Sequence, residues 1–126
     1  MVTGSSALVT DREPWSVRAG RWLAEVTRRG SPILAICYGH QLLADALGGE
    51  VKLNSRGRQM GVVDVSLTDE GRADPLLGVL PSPFAIGHSH RQHVLQLPEG
   101  ATLLAYNAND PHAAFRLGER LSLIHI

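Results

Sequence analysis

Residues 32–51 read PILAICYGHQLLADALGGEV and contain the only cysteine of the chain. Ser31-Pro32 stops whatever precedes, and Ile33-Leu34-Ala35-Ile36 is a short continuous apolar run of the kind a buried parallel strand uses. Cys37 follows at its end. Tyr38, Leu42, Leu43, Ala46 and Leu47 then recur at helical spacing, and Gly48-Gly49 closes the helix as C-terminal glycines do. The segment reads strand, cysteine, helix, a junction suited to holding a nucleophile.

A side chain on so sharp a turn occupies strained backbone, so bulky residues two positions to either side would collide. Ala35 and Gly39 are both small. The helix that starts after Cys37 aims unpaired N–H groups and its positive dipole end at the sulfur, which predicts a thiolate. The N–H of Tyr38 is placed to donate to an oxyanion. A buried structural cysteine is the alternative, since free cysteine is often fully buried, but the small-x-Cys-x-Gly pattern favours the nucleophile.

Ala35-Ile36-Cys37-Tyr38-Gly39-His40-Gln41-Leu42-Leu43-Ala44, followed by Ala46-Leu47-Gly48-Gly49, resembles the nucleophile motif of class I glutamine amidotransferases, usually Gly-Ile-Cys-x-Gly-x-Gln. The resemblance continues through Gly57-Arg58-Gln59-Met60-Gly61, His88-Ser89-His90 and Leu97-Pro98-Glu99-Gly100-Ala101, and covers residues 3–118. Within the family it is nearest to stand-alone proteins related to the amidotransferase domain of GMP synthetase. It implies a partial doubly wound, flavodoxin-like α/β sheet with helices on both faces, and Cys37 at the elbow.

The resemblance also implies a mechanism and a set of roles. Cys37 attacks the side-chain amide carbon of L-glutamine, the backbone N–H groups of Gly4 or Ser5 and of Tyr38 form the oxyanion hole, and ammonia leaves. Water then hydrolyses the γ-glutamyl thioester, and the ammonia passes to an acceptor on a synthetase domain or subunit. Gln41, one helical turn after the nucleophile, and Ser89 with His90 are implied in substrate binding, with His90 not acting as a base. Glycine at position 4 suits a backbone that must bend close to a carbonyl.

The family supplies its general acid/base in a His-Pro-Glu motif near the C-terminus. This chain reads Glu119-Arg120-Leu121-Ser122-Leu123-Ile124-His125-Ile126 there, and no His-Pro-Glu occurs in its sequence. Leu-Ser-Leu-Ile-His-Ile is also the translation of a transposon-end sequencing adapter. The expectation is therefore an amidotransferase domain fragment over residues 1–120 followed by an assembly artefact over 121–126, to be excluded from fold reasoning. Resequencing past the codon for Arg120 tests it. Weak or absent glutaminase activity in the chain as written is the corollary. A γ-glutamyl or peptidase-like cysteine hydrolase and a non-catalytic pseudoenzyme or interaction module are the alternatives.

Composition agrees with this reading. At 126 residues the chain is one domain at most, at the short end for a doubly wound sheet. Twelve basic and twelve acidic residues balance, with no cationic run longer than Arg28-Arg29, so no nucleic-acid face is expected. One cysteine excludes an internal disulfide, and no apolar run long enough to span a membrane or cleavable signal is visible. A cytoplasmic location is the default.

Elsewhere, Asp11-Arg12-Glu13-Pro14 opens a helix in which Trp15, Ala19, Trp22, Leu23 and Val26 form one apolar stripe, read as core, and Gly30 closes it. Residues 50–53 and 60–67 read as strands joined by the turn Asn54-Ser55-Arg56-Gly57. In the second, Val63, Val65 and Leu67 alternate with Asp64 and Ser66. Residues 74–77 read as a helical turn, 84–88 as a strand, and 103–107 with 113–117 as a hairpin across Asn109-Asp110-Pro111. Six histidines raise a metal site, above all His88 and His90 on one strand face. No second cysteine or neighbouring carboxylate completes a ligand set, so neither metal nor cofactor is expected. His40 and His112 read as surface residues or as support behind the site.

Overall fold

The computed structural model describes residues 1–118 and the backbone of a strand at 121–124. It is α/β, of the flavodoxin-like class, with its parallel part at one end. β1 (Ile33–Ile36) runs parallel to β8 (Leu121–Ile124), pairing Ile33 with Leu121 and Ile36 with Ile124. On its other side Val2 donates to the Leu34 carbonyl at 2.8 Å and accepts from Ile36 N at 2.8 Å. The sheet then continues antiparallel through β7 (Ala114–Leu117), β6 (Ala101–Tyr106), β3 (Gln59–Leu67) and β4 (Phe84–His90). A separate ribbon pairs β2 (Glu50–Leu53) with β5 (Gln92–Gln96).

The elbow is built as the sequence dictates. Ile33 and Ala35 are buried, β1 ends at Ile36, and α2 runs Tyr38–Ala46. A β-carbon on Gly39 would lie 2.8 Å from both Val2 Cγ1 and the Val2 carbonyl oxygen. Glycine there lets the N-terminal strand stub pass directly over the start of α2. The hairpin β6–β7 forms in the expected place, and β3 alternates as expected, with Val65 and Leu67 buried and Asp64 exposed.

Helix α1 (Pro14–Arg28) begins with proline in its first turn and turns Leu23, Ala19 and Val26 of the expected stripe to the core, but not its two tryptophans. Ser16, Gly20, Leu23 and Ala24 are buried, while Trp15 is 44% and Trp22 61% exposed. The small residues win because α1 packs closely on α2: a β-carbon on Gly20 would already meet Leu42 Cδ1 at 3.4 Å. Indole side chains do not fit so narrow a gap, so the tryptophan flank turns outward.

Three further segments depart from expectation. A helix not expected from the sequence, α3 (Asp69–Ala73), is started by Thr68 Oγ1, which accepts from Gly71 N at 3.0 Å, and the helical turn expected at 74–77 follows it, Gly78 N donating to the Asp74 carbonyl at 2.8 Å. Asp74 opens that turn, its Oδ1 accepting from Leu76 N and Leu77 N. β5 is unexpected, because QHVLQ has too few apolar residues to stand out as a strand. Residues 121–124, which the adapter-like sequence excludes from the expected fold, pair on both sides, with β1 and with β7. Leu-Ser-Leu-Ile is competent for a strand whatever its origin.

Two apolar clusters hold the layers together. One surrounds the elbow and contains Leu23, Ala35, Leu43, Val51, Val94 and Phe115; the other joins Val65, Leu67, Leu77, Leu104 and Ala114 under α3. No helix among the described residues is long and apolar enough to cross a membrane.

Candidate active site

Cys37 takes φ 56° and ψ −111°, outside the helix that it precedes. An L-residue in this region is strained by about 1–3 kcal/mol and persists only where the surroundings over-determine it. Here β1 on one side and α2 on the other fix it, and the result aims the side chain away from the core into a cavity of about 250 Å³. Ser5, Tyr38 and Gln41 line that cavity beside Cys37, and Ser89 and His90 face them from the end of β4. Gly4 packs against Cys37, since a β-carbon there would stand 3.8 Å from its Sγ. The Val2 pairing with β1 delivers it there. All seven residues singled out from the sequence thus converge on one place.

The thiol does not match the expected thiolate. Burial pushes the Cys37 pKa above its ordinary value, and the hydrogen bond with the Tyr38 backbone only opposes this. Desolvation of the charged form outweighs the helix start. Tyr38 itself is buried, with its hydroxyl bonded to Ser16 Oγ and its ring 5.6 Å from that of Trp15.

A buried polar network supports the far wall. Gln41 Nε2 donates to the carbonyl of Gln92 at 2.8 Å, and His90 Nδ1 donates to the same oxygen at 2.9 Å. Because a carbonyl only accepts, that contact fixes the proton on His90 Nδ1. The Gln92 side chain in turn accepts from Val9 N at 2.8 Å and donates to Thr10 Oγ1 at 2.7 Å. His90 Nε2 lies 3.1 Å from His88 Nδ1 and 4.0 Å from the carboxylate of Asp110, and His88 Nδ1 lies 3.0 Å from Gln59 Oε1. A carboxylate therefore does approach the histidine pair, from a residue remote in sequence. Among the described residues no three His, Cys, Asp or Glu side chains converge as a metal site.

Sequence reasoning assigned no role to Gln92, Asp110, Arg58 or Arg91. Gln92 carried no signal, since its side-chain partners lie 82 and 83 residues away. Arg58 stood within a quoted motif; it lines the cavity and donates from Nη2 to Ser89 Oγ at 2.9 Å. His40 is not a surface residue: it is fully buried, its ring 5.0 Å from that of Phe115. His112 is half-buried, with Nδ1 2.8 Å from the Val94 carbonyl. His125 lies outside the described residues.

The family profile "Glutamine amidotransferase class-I" matches residues 13–122. A GMP synthase (glutamine-hydrolysing) of Aeropyrum pernix is 42% identical over 107 residues, covering 85% of this chain and 20% of that protein. Gamma-glutamyl peptidase 5 of Arabidopsis thaliana is 34% identical over 109 residues, 85% of this chain and 43% of the peptidase. The fold matches a glutamine amidotransferase from Thermotoga maritima with TM-score 0.85 at 20% identity, over 96% of this chain and 51% of that one. It also matches a putative GMP synthase subunit from Thermoplasma acidophilum with TM-score 0.81 at 23% identity, over 97% and 58%.

The chain belongs to the class I glutamine amidotransferase family. It spans less than half the length of these curated relatives.

Proposed function

We propose that Cys37 is the nucleophile of a glutaminase half-reaction. Its sulfur forms a bond to the amide carbon of L-glutamine, the C–N bond breaks, and ammonia leaves with the thiol proton. Water then hydrolyses the γ-glutamyl thioester to glutamate and restores the thiol. Tyr38 N–H and the N–H groups of Gly4 or Ser5 are assigned to the oxyanion, and Gln41, Ser89 and His90 to substrate. The observation that carries this is the strained φ of Cys37 at the mouth of the cavity those residues line. The ammonia goes to a synthetase domain or subunit of the GMP-synthetase kind, in keeping with the names of the relatives.

The sequence holds no His-Pro-Glu, so the described residues supply no counterpart of the family's acid/base group. Acylation is accordingly assigned to this chain and rapid turnover is not. The test is incubation with L-glutamine, acid quench and intact mass. A γ-glutamyl adduct on Cys37, with ammonia release near background and the adduct lost in Cys37→Ala, is expected. Turnover at rates usual for enzymes would overturn the assignment.

A further inference from the structure

The segment that carries the assigned oxyanion donors Gly4 and Ser5 is hydrogen-bonded to the rest of the protein only at its ends. Val2 fixes one end, donating to the Leu34 carbonyl and accepting from Ile36 N. Among the described residues, none from 3 to 7 hydrogen-bonds outside the segment; within it, Ala7 N donates to Ser5 Oγ at 3.1 Å. Gln92 fixes the other end. This first residue of β5 is buried, its Oε1 accepting from Val9 N at 2.8 Å and its Nε2 donating to Thr10 Oγ1 at 2.7 Å. Val9 is buried too, so without Gln92 its N–H would be a buried donor left unmet. Beyond this point Arg12 reaches Asp45 of α2, but through an ion pair whose arginine is 62% exposed, of the kind that contributes little in water.

The same residue serves the opposite wall by a different group. Its main-chain carbonyl takes the Gln41 and His90 donors, and its backbone is held in register by pairing with Leu53 of β2. Contacts of the main chain survive a change of side chain, whereas those with Val9 and Thr10 do not. The side chain of Gln92 therefore governs the oxyanion segment, and its backbone the substrate wall.

We propose that Gln92 is a positioning residue for acyl transfer, its side chain holding the Gly4–Ser5 backbone in place beside Cys37 through Val9 and Thr10. The inference rests on the reading of Cys37 as the nucleophile. It assigns the Gln92 side chain to the rate of the step and not to the affinity for glutamine. The carbonyl oxygen gains its negative charge only as the sulfur–carbon bond forms, and gives it up when the C–N bond breaks and ammonia leaves with the thiol proton.

Single-turnover acylation of the full chain tests it, with adduct formation from L-glutamine followed by acid quench and intact mass over a range of glutamine concentrations. Gln92→Leu is expected to lower the maximal rate about a hundred-fold, the scale of a misplaced reacting group, while the half-saturating concentration moves by no more than about two-fold. Thr10→Val, at an exposed position, removes one of the two contacts and is expected to lower the rate about five-fold, the scale of one hydrogen bond. Gln92→Glu is expected to restore most of the rate. A carboxylic acid repeats the acceptor and donor of the amide, and a carboxylate accepts from both Val9 N and the Thr10 hydroxyl. Alkylation of Cys37 by iodoacetamide, which uses no oxyanion hole, should change by no more than about two-fold in all three variants. An unchanged maximal rate in Gln92→Leu and Thr10→Val overturns the inference and leaves the nucleophile standing. So does a loss of glutamine affinity and iodoacetamide reactivity in step with the rate, which would mark a merely structural role. No adduct in the unsubstituted chain overturns both.

Discussion

Cys37 combines two demands that pull against each other. Its position at the end of β1 gives it the exposure and strain of an elbow, while burial of the thiol holds the resting sulfur protonated. The rate of alkylation by iodoacetamide is therefore expected to keep rising with pH beyond the ordinary thiol value, because the thiolate forms late. A plateau in the neutral range would contradict this. Gly39 makes the turn feasible, and Gly39→Ala forces a methyl group into contact with Val2 at 2.8 Å. A loss of about 1–3 kcal/mol in urea unfolding is expected, as for other overpacked sites. The elbow at Cys37 and its small neighbours were legible in the sequence because they are local: strand, turn and helix lie within a few residues. Gln92 was not, since its meaning comes from Val9, Thr10 and Gln41, which only the fold brings together.

Among the elements, α1 tests how far periodicity can be trusted. Its spacing marks a continuous apolar stripe through Trp15 and Trp22, yet the helix buries only the Leu23 side of that stripe, together with Gly20 and Ser16, which let it approach α2. Amphipathic spacing identifies a helix and cannot by itself choose between an aromatic flank and a small-residue flank. Trp22→Gln is accordingly expected to change stability by no more than about 0.5 kcal/mol, the cost of a surface substitution. A loss of about 3–5 kcal/mol, as for a buried tryptophan, would restore the expected face. The loop after α3 is held differently. Burial alone would raise Asp74, but the guanidinium of Arg116, 2.5 Å away, and the N–H groups of Leu77 and Leu76 hold its carboxyl below the usual range. A depressed carboxyl stabilises the fold above the unfolded pKa of about 4 and loses that contribution as pH falls through the folded value. Asp74→Asn is expected to lower stability at neutral pH by about 3 kcal/mol and to flatten the acid limb of the stability profile. An unchanged acid limb would contradict this.

Across the whole molecule, the parallel end of the sheet carries the elbow, and β8 lies between β1 and β7. Removing residues 119–126 would leave both neighbours with unpaired edges, so the shortened chain is expected to aggregate in size-exclusion chromatography. A monomeric, cooperatively folding product would show that the slot needs no strand. The ribbon β2–β5 and the antiparallel arm β3–β4 then bring the far wall of the cavity opposite Cys37. This long-range closure is what the sequence could not convey: it named Ser89 and His90 through resemblance, while the partners that hold them came only with the fold. The central claim, that Cys37 attacks γ-glutamyl carbonyl carbon, is tested most directly by treating the intact chain with the diazoketone analogue of glutamine and mapping the adduct. A single stoichiometric modification on Cys37, blocked by excess L-glutamine and absent in Cys37→Ala, is the result expected. An unmodified Cys37, in a folded chain whose thiol still reacts with iodoacetamide, would contradict it.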